Sequence, residues 1–143
     1  MKVKQISIFL ENRSGRLFEC LNILKDNGIN VVSASLADSS DFGILRLLVS
    51  DTDKALEVLK AKKIIAKVTD VIAIVVPNAV GSLAEVLNAI DKSNINVSYL
   101  YGLSITDEGA TIAIKTSDID GTIKALEPLN LKYFSEDELV WLR

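Results

Sequence analysis

ISIFLENRSGRLFECLNILKDNGINVVSA, residues Ile6–Ala34, lies without a gap on IAIVVPNAVGSLAEVLNAIDKSNINVSYL, residues Ile72–Leu100, when the chain is slid 66 positions along itself. Identical pairs are Ile6/Ile72, Ile8/Ile74, Asn12/Asn78, Gly15/Gly81, Leu17/Leu83, Glu19/Glu85, Leu21/Leu87, Asn22/Asn88, Ile29/Ile95, Asn30/Asn96 and Val31/Val97. The same shift matches Asp41/Asp107 and Gly43/Gly109, and one extra residue brings ALEVL (Ala55–Leu59) onto TIKAL (Thr122–Leu126). So regular a match is a tandem duplication, and it governs how the rest of the chain is read.

Each copy reads as strand, helix, strand, strand, helix, strand. QISIFL is short and rich in β-formers. The stretch after it carries Leu17, Leu21 and Leu24 at helical spacing, with Phe18, Cys20 and Ile23 widening the apolar face. Gly28, and Asn94 in the second copy, stand where a helix ends in a left-handed residue. VVSASLA and GILRLLV, joined by DSSDFG, read as a hairpin. A second helix from Asp53 to about Ala61 directs Ala55, Leu56, Val58 and Leu59 at the sheet, and a strand over Ile64–Val68 closes the unit. The second copy repeats this order, with its turn at TDEG (Thr106–Gly109) and its last helix halted at Pro128.

That order predicts an α+β fold: two tandem ferredoxin-like βαββαβ units, each an antiparallel four-stranded sheet in the order 4-1-3-2 with its helices on one face. The units are expected at residues 1–69 and 70–143. Only Thr69 and Asp70 separate them, too short a spacer for independent beads, so the units are expected to join side by side. The tail aligns LVWL (Leu139–Leu142) with the start of a third unit. It is therefore expected to add a strand, with Trp141 serving packing rather than ligand contact.

Composition narrows the function. The 143 residues carry a formal charge of −3 and no basic block, which argues against nucleic acid or an anionic membrane as partner. VIAIVV (Val71–Val76) is too short to cross a bilayer, and MKVKQISIFLENR lacks the apolar run of a secretion signal. One cysteine, Cys20, rules out an intrachain disulfide framework and suits a reducing, cytoplasmic setting. With no histidine there is no Ser-His or Cys-His nucleophile and no zinc site. The acidic runs SDTD (Ser50–Asp53) and SEDE (Ser135–Glu138) read as helix capping and a solvated turn. No enzyme activity, metal or cofactor is expected.

The residues ENRSGRLFECLNILKDNGINV and PNAVGSLAEVLNAIDKSNINV make each unit resemble an ACT domain, the small amino-acid-sensing module attached to enzymes such as phosphoglycerate dehydrogenase and aspartate kinase. The likeness covers essentially the whole chain, and two such units resemble the stand-alone tandem ACT proteins. It implies a regulatory protein that binds a free L-amino acid between ACT units, as a homodimer or higher oligomer, and transmits amino-acid level to an enzyme or regulator. The competing reading is a ligand-free module for subunit association, using the same sheet edges.

The chemistry of the loop fits the first reading. Unpaired amides at a helix N-terminus can hold a carboxylate, and Gly15 and Gly81 leave room for a ligand to approach them. An asparagine offers both donors and acceptors to a zwitterion. The first candidate set is Leu10, Asn12, Arg13, Ser14, Gly15, Arg16 and Leu17. Its counterpart is Val76, Asn78, Ala79, Val80, Gly81, Ser82 and Leu83. Asn30 and Asn96 open the second, edge strand and cannot easily reach the turn of their own unit. The resemblance implies that edge strands pair, so that Asn12 and Gly15 meet Asn96, and Asn78 and Gly81 meet Asn30.

Asparagine and glycine also serve as plain turn and cap residues. Ser14 suits a cap in the first unit, but Val80 stands there in the second. Two positions depart from the family. Leu10 and Val76 replace the histidine of serine-binding members, and Ser14 and Val80 replace a proline that often precedes the glycine. Leu10 and Val76 in place of the histidine imply a more apolar pocket wall, suited to a larger or less polar ligand. Arg13 faces Ala79 in the repeat, so the two sites are expected to differ in affinity, or only one of them to bind.

Overall fold

Alternation along QISIFL puts Ile6, Ile8 and Leu10 on one face of the first strand, where all three are buried. The structure, a computed structural model, describes residues 1–38 and 41–140. It contains β1 (Lys2–Glu11), α1 (Arg16–Asp26), β2 (Val31–Asp38), β3 (Phe42–Val49), α2 (Thr52–Ala61) and β4 (Ala66–Pro77). Then come α3 (Ser82–Lys92), β5 (Val97–Thr106), β6 (Gly109–Thr116), α4 (Ile119–Leu126), a 3-10 turn (Glu127–Leu129) and α5 (Glu136–Val140). Two compact units result, one built on Lys4–Thr69 and the other on Asp70–Leu139 together with Met1–Val3.

In the first unit β3 lies between β1 and β2, antiparallel to both, with Ile8 opposite Leu45 and Leu36 also opposite Leu45. The Phe9 amide bonds the Ile65 carbonyl at 3.1 Å and sets the entry to β4 beside β1. In the second unit β6 lies between β4 and β5, with Ile74 opposite Ile112. On its far side β4 meets the segment around Tyr133, through Val75 to Lys132 and Phe134 to Ala73, each 2.9 Å. Both units thus have the order 4-1-3-2 with β2 or β5 as an edge. Thr69 and Asp70 are no spacer: they lie inside β4, which closes the first unit and opens the second without a break.

Each unit has its own core. Cys20 and Leu24 of α1 and Ala55 and Leu59 of α2 pack on Ile6, Ile8, Leu45 and Leu47. Val86 and Ile90 of α3 and Ile119 and Leu126 of α4 pack on Ile72, Ile74 and Ile114. Phe18 is outside this core, 73% exposed. An ideal helix turns about 100° per residue, so Phe18 stands on the side of α1 opposite Cys20. The helix ends match the expectation. Gly28 (φ +70) and Asn94 (φ +57) are left-handed, and the Ile29 and Ile95 amides reach back to the Leu24 and Ile90 carbonyls.

The tail differs from the expectation. Leu139 and Val140 close α5 instead of opening a strand. SEDE explains this, because its serine caps a helix rather than sitting in a plain solvated turn. Ser135 Oγ accepts the Glu138 amide and bonds the Glu138 carboxylate, both at 3.3 Å. Trp141 and Leu142 lie outside the described residues. SDTD also caps: the Asp51 carboxylate accepts the Lys54 amide at the start of α2.

Two local features carry predictions. Thr122 Oγ1 donates to the Asp118 carbonyl at 2.7 Å, so Thr116 must donate the 2.7 Å bond that joins the two buried hydroxyls. The first unit has Val49 and Ala55 in these places. Either Thr116→Val or Thr122→Ala should therefore cost about 1–2 kcal/mol by urea denaturation. The double variant, which restores the apolar pair, should cost less than their sum.

Cys20 is fully buried, and burial pushes its thiol up to about 11 from an ordinary 9.0. It should resist a disulfide thiol reagent in the native protein and react once urea unfolds the chain. Below pH 9 the thiol is neutral in both states and leaves stability unchanged. From about pH 9 to about 11 the unfolded thiol ionises first, so its contribution is a loss of stability across that window.

Candidate functional site

The repeated loop forms the same turn twice. The Arg13 amide bonds the Glu11 carbonyl at 2.8 Å and Arg16 bonds Arg13 at 3.4 Å; Ala79 bonds Pro77 at 2.9 Å and Ser82 bonds Ala79 at 3.2 Å. Glycine stands at each helix cap in the left-handed region, Gly15 at φ +88 and Gly81 at φ +84, and no side chain caps either helix. Ser14 therefore does not cap α1, because the glycine takes that place in the turn. The first-turn amides of Leu17, Phe18, Leu83 and Ala84 have no acceptor among the described residues. A Cβ added at either glycine would have nothing within 4 Å, so both turns are open on that side.

Each turn borders a cavity within its own unit. The first, about 110 Å³, is lined by Leu10, Glu11, Asn12, Arg13, Leu17, Leu36, Asp38 and Gly43. The second, about 470 Å³, is lined by Val76, Pro77, Asn78, Ala79, Gly81, Ser82, Leu83, Ala84, Ile105, Thr106, Gly109, Ala110 and Ile112. Six lining positions correspond through the 66-residue shift: Leu10/Val76, Glu11/Pro77, Asn12/Asn78, Arg13/Ala79, Leu17/Leu83 and Gly43/Gly109. The Asn12 and Asn78 side chains are exposed and make no hydrogen bond to a described residue. Arg13 is instead held by Glu11, Nε to Oε2 3.1 Å, and Arg16 by Glu19, Nη1 to Oε2 3.1 Å.

Of the sequence-derived candidates, Leu10, Asn12, Arg13 and Leu17 come together around the first cavity. Ser14, Gly15 and Arg16 are in its turn but do not line it. Val76, Asn78, Ala79, Gly81, Ser82 and Leu83 come together around the second, while Val80 points wholly into solvent. Asn96 belongs to a separate hollow of about 310 Å³ with Leu87, Ile90, Asp91, Ile95, Val97 and Leu100. It precedes β5, whose other end, Thr106, borders the Asn78 cavity. Ten residues of strand separate those ends by about 33 Å.

Asn30 and Asn96 have a second, structural duty that the repeat alone does not show. The Asn30 amide donates to Ser50 Oγ at 3.0 Å and its carbonyl accepts the Ser50 amide at 2.9 Å. Asn96 and Ser117 do the same at 3.1 and 2.9 Å. Only backbone atoms of the asparagines are used, which leaves both exposed amide side chains available.

Sequence reasoning missed the far wall of each cavity. Leu36, Asp38 and Gly43 come from the β2–β3 hairpin, and Ile105, Thr106, Gly109, Ala110 and Ile112 from the β5–β6 hairpin. One signal was present: Gly43 and Gly109 match through the same shift as the asparagines.

Two βαββαβ units that each open on a glycine-capped turn define a protein assembled from a pair of ACT modules. The chain belongs to the ACT domain pair family, whose model matches residues 1–142. Its structure is similar to that of protein BT0572 from Bacteroides thetaiotaomicron, at 37% identity over 99% of this chain and 98% of that one, TM-score 0.90. It shares its fold with the ligand-free regulatory subunit of aspartate kinase from Thermus thermophilus, at 17% identity over 87% and 90% of the two chains, TM-score 0.62. The regulatory subunit of aspartate kinase from Thermus flavus is similar at 18% identity over the same shares, TM-score 0.61. No curated protein matches this sequence. No helix among the described residues is long and apolar enough to cross a membrane.

Proposed function

We propose that this ACT pair is a non-catalytic regulatory protein that binds a free L-amino acid and passes amino-acid level to a partner enzyme or regulator. The observation that carries this reading is the turn made twice. In each, a left-handed glycine opens a helix N-terminus with unclaimed amides, and an asparagine with a free side chain stands three residues before it. Such a turn offers donors and a favourable dipole to a carboxylate, with asparagine left for the ammonium or side chain. Likeness in fold to regulatory subunits of aspartate kinase supports the same reading.

The complete site takes its remaining amide from the edge strand of another ACT unit, in a homodimer or higher oligomer. Asn96 completes the turn of Asn12 and Gly15, and Asn30 that of Asn78 and Gly81. A ligand clasped there stabilises one arrangement of units over others, which is how its concentration becomes a signal.

A thermal-shift screen of the twenty amino acids tests this. A ligand at a hundred times its dissociation constant adds about 2.7 kcal/mol of stability. Asn78→Ala and Asn30→Ala should weaken binding non-additively, because both touch one molecule. No shift with any amino acid would leave the ligand-free association module as the better reading.

A further inference from the structure

The two turns are copies, but the spaces beside them are not. The cavity at Asn12 is about 110 Å³ and the one at Asn78 about 470 Å³. Only the second falls within the roughly 300–1,000 Å³ of small-molecule sites. Two substitutions between the copies account for the difference. Where the first unit has Arg13, paired with Glu11, the second has Ala79 after Pro77. Where Leu36 stands opposite Leu45, the partner of Ile8, with its Cδ1 3.2 Å from the place of a Cβ on Gly43, the matching ladder position opposite Ile112, the partner of Ile74, holds Gly102, which has no side chain.

The walls also differ in charge. Glu11, Arg13 and Asp38 line the first cavity, whereas among the described residues no ionisable side chain lines the second. Val76, Leu83, Ile105, Ala110 and Ile112 make its surface, with Asn78, Ser82 and Thr106 as the polar side chains. An ionised ligand side chain placed there would lose its hydration with no counter-charge in return. An apolar one would remove both itself and the wall from water.

We infer that the chain binds one ligand, at the Asn78 cavity, and that this ligand is an amino acid with an uncharged, bulky apolar side chain. The inference rests on the amino-acid reading above and narrows it to one of its two sites and one class of ligand.

Titration calorimetry on the intact protein tests it with L-leucine, L-isoleucine, L-valine, L-methionine and L-phenylalanine against L-serine, L-aspartate and L-lysine. Binding of at least one apolar amino acid is expected, at one molecule per chain, and at least tenfold tighter than any of the other three. Ala79→Arg, at an exposed position, restores the first unit's charge and bulk, and should weaken binding at least tenfold with the unliganded melting temperature unchanged. Ile105→Asp, at a side chain 89% exposed on the cavity wall, should do the same without touching the turn. Preference for serine, aspartate or lysine, two ligands per chain, or indifference to both variants overturns the inference while the amino-acid reading stands. Silence from all twenty amino acids overturns both.

Discussion

Gly109→Ala should lower the unfolding free energy by about 3 kcal/mol, measured as a fall in the urea midpoint at unchanged slope. Gly109 has φ +152, a region that side chains rarely adopt, and a Cβ built on it would run into the Val76 carbonyl oxygen. That oxygen is part of β4, so no side chain can swing aside to relieve the clash. Gly109 also pairs with Pro77 on one side and Thr106 on the other, which ties both neighbours to the strained position. Gly43, its repeat partner, supplies the control. A Cβ there would meet Leu36 Cδ1 at 3.2 Å, the far end of a flexible side chain, and the backbone is not left-handed. Gly43→Ala should therefore cost less than about 1 kcal/mol. Equal losses at the two positions would show that the approach of β4 is not what holds Gly109.

Ile74→Ala should cost about 4 kcal/mol, again by denaturant titration. Ile74 is fully buried between Ile112 on β6 and the bridge at Tyr133, and belongs to the core of the second unit. Removing its outer carbons forfeits their transfer free energy and leaves a hole in a packed sheet that strand pairing keeps from collapsing. Phe18→Ala removes a larger apolar side chain, yet should change stability by no more than about 0.5 kcal/mol, because Phe18 is mostly in water. A large loss at Phe18 would mean that the exposed ring is covered in the protein as it exists in solution.

That contrast marks how far local pattern reaches. Ile74 and Phe18 are both apolar residues in amphipathic stretches, and spacing alone grouped Phe18 with the helix face. The true face of α1 centres on Cys20 and Leu24, four residues apart and one above the other, and its width is set by the sheet beneath it. Leu139 and Val140 make the same point. They aligned with a strand, but Ser135 and Glu138 bond at the start of a helix that runs through both, and a short-range hydrogen-bonded motif outweighs a faint repeat.

The candidate site divides along the same line. Asn12, Gly15, Asn78 and Gly81 were legible because a turn between strand and helix is local chemistry, and the duplication showed it twice. The far walls were not legible. Which residues of β5 face the cavity depends on its ladder with β6, which slips between Gly102 and Ser104. One such slip changes which side chain stands opposite a given partner.

The chain's own order of residues settles the duplication, the element sequence, the helix ends at Gly28 and Asn94, and the glycine turns, since each depends on neighbours a few bonds away. The fusion of two expected strands into β4, the collision that guards Gly109, and the unequal cavities beside equal turns come from packing. They depend on side chains and backbones far apart in sequence, whose meeting is set by strand register and core volume rather than by any local preference.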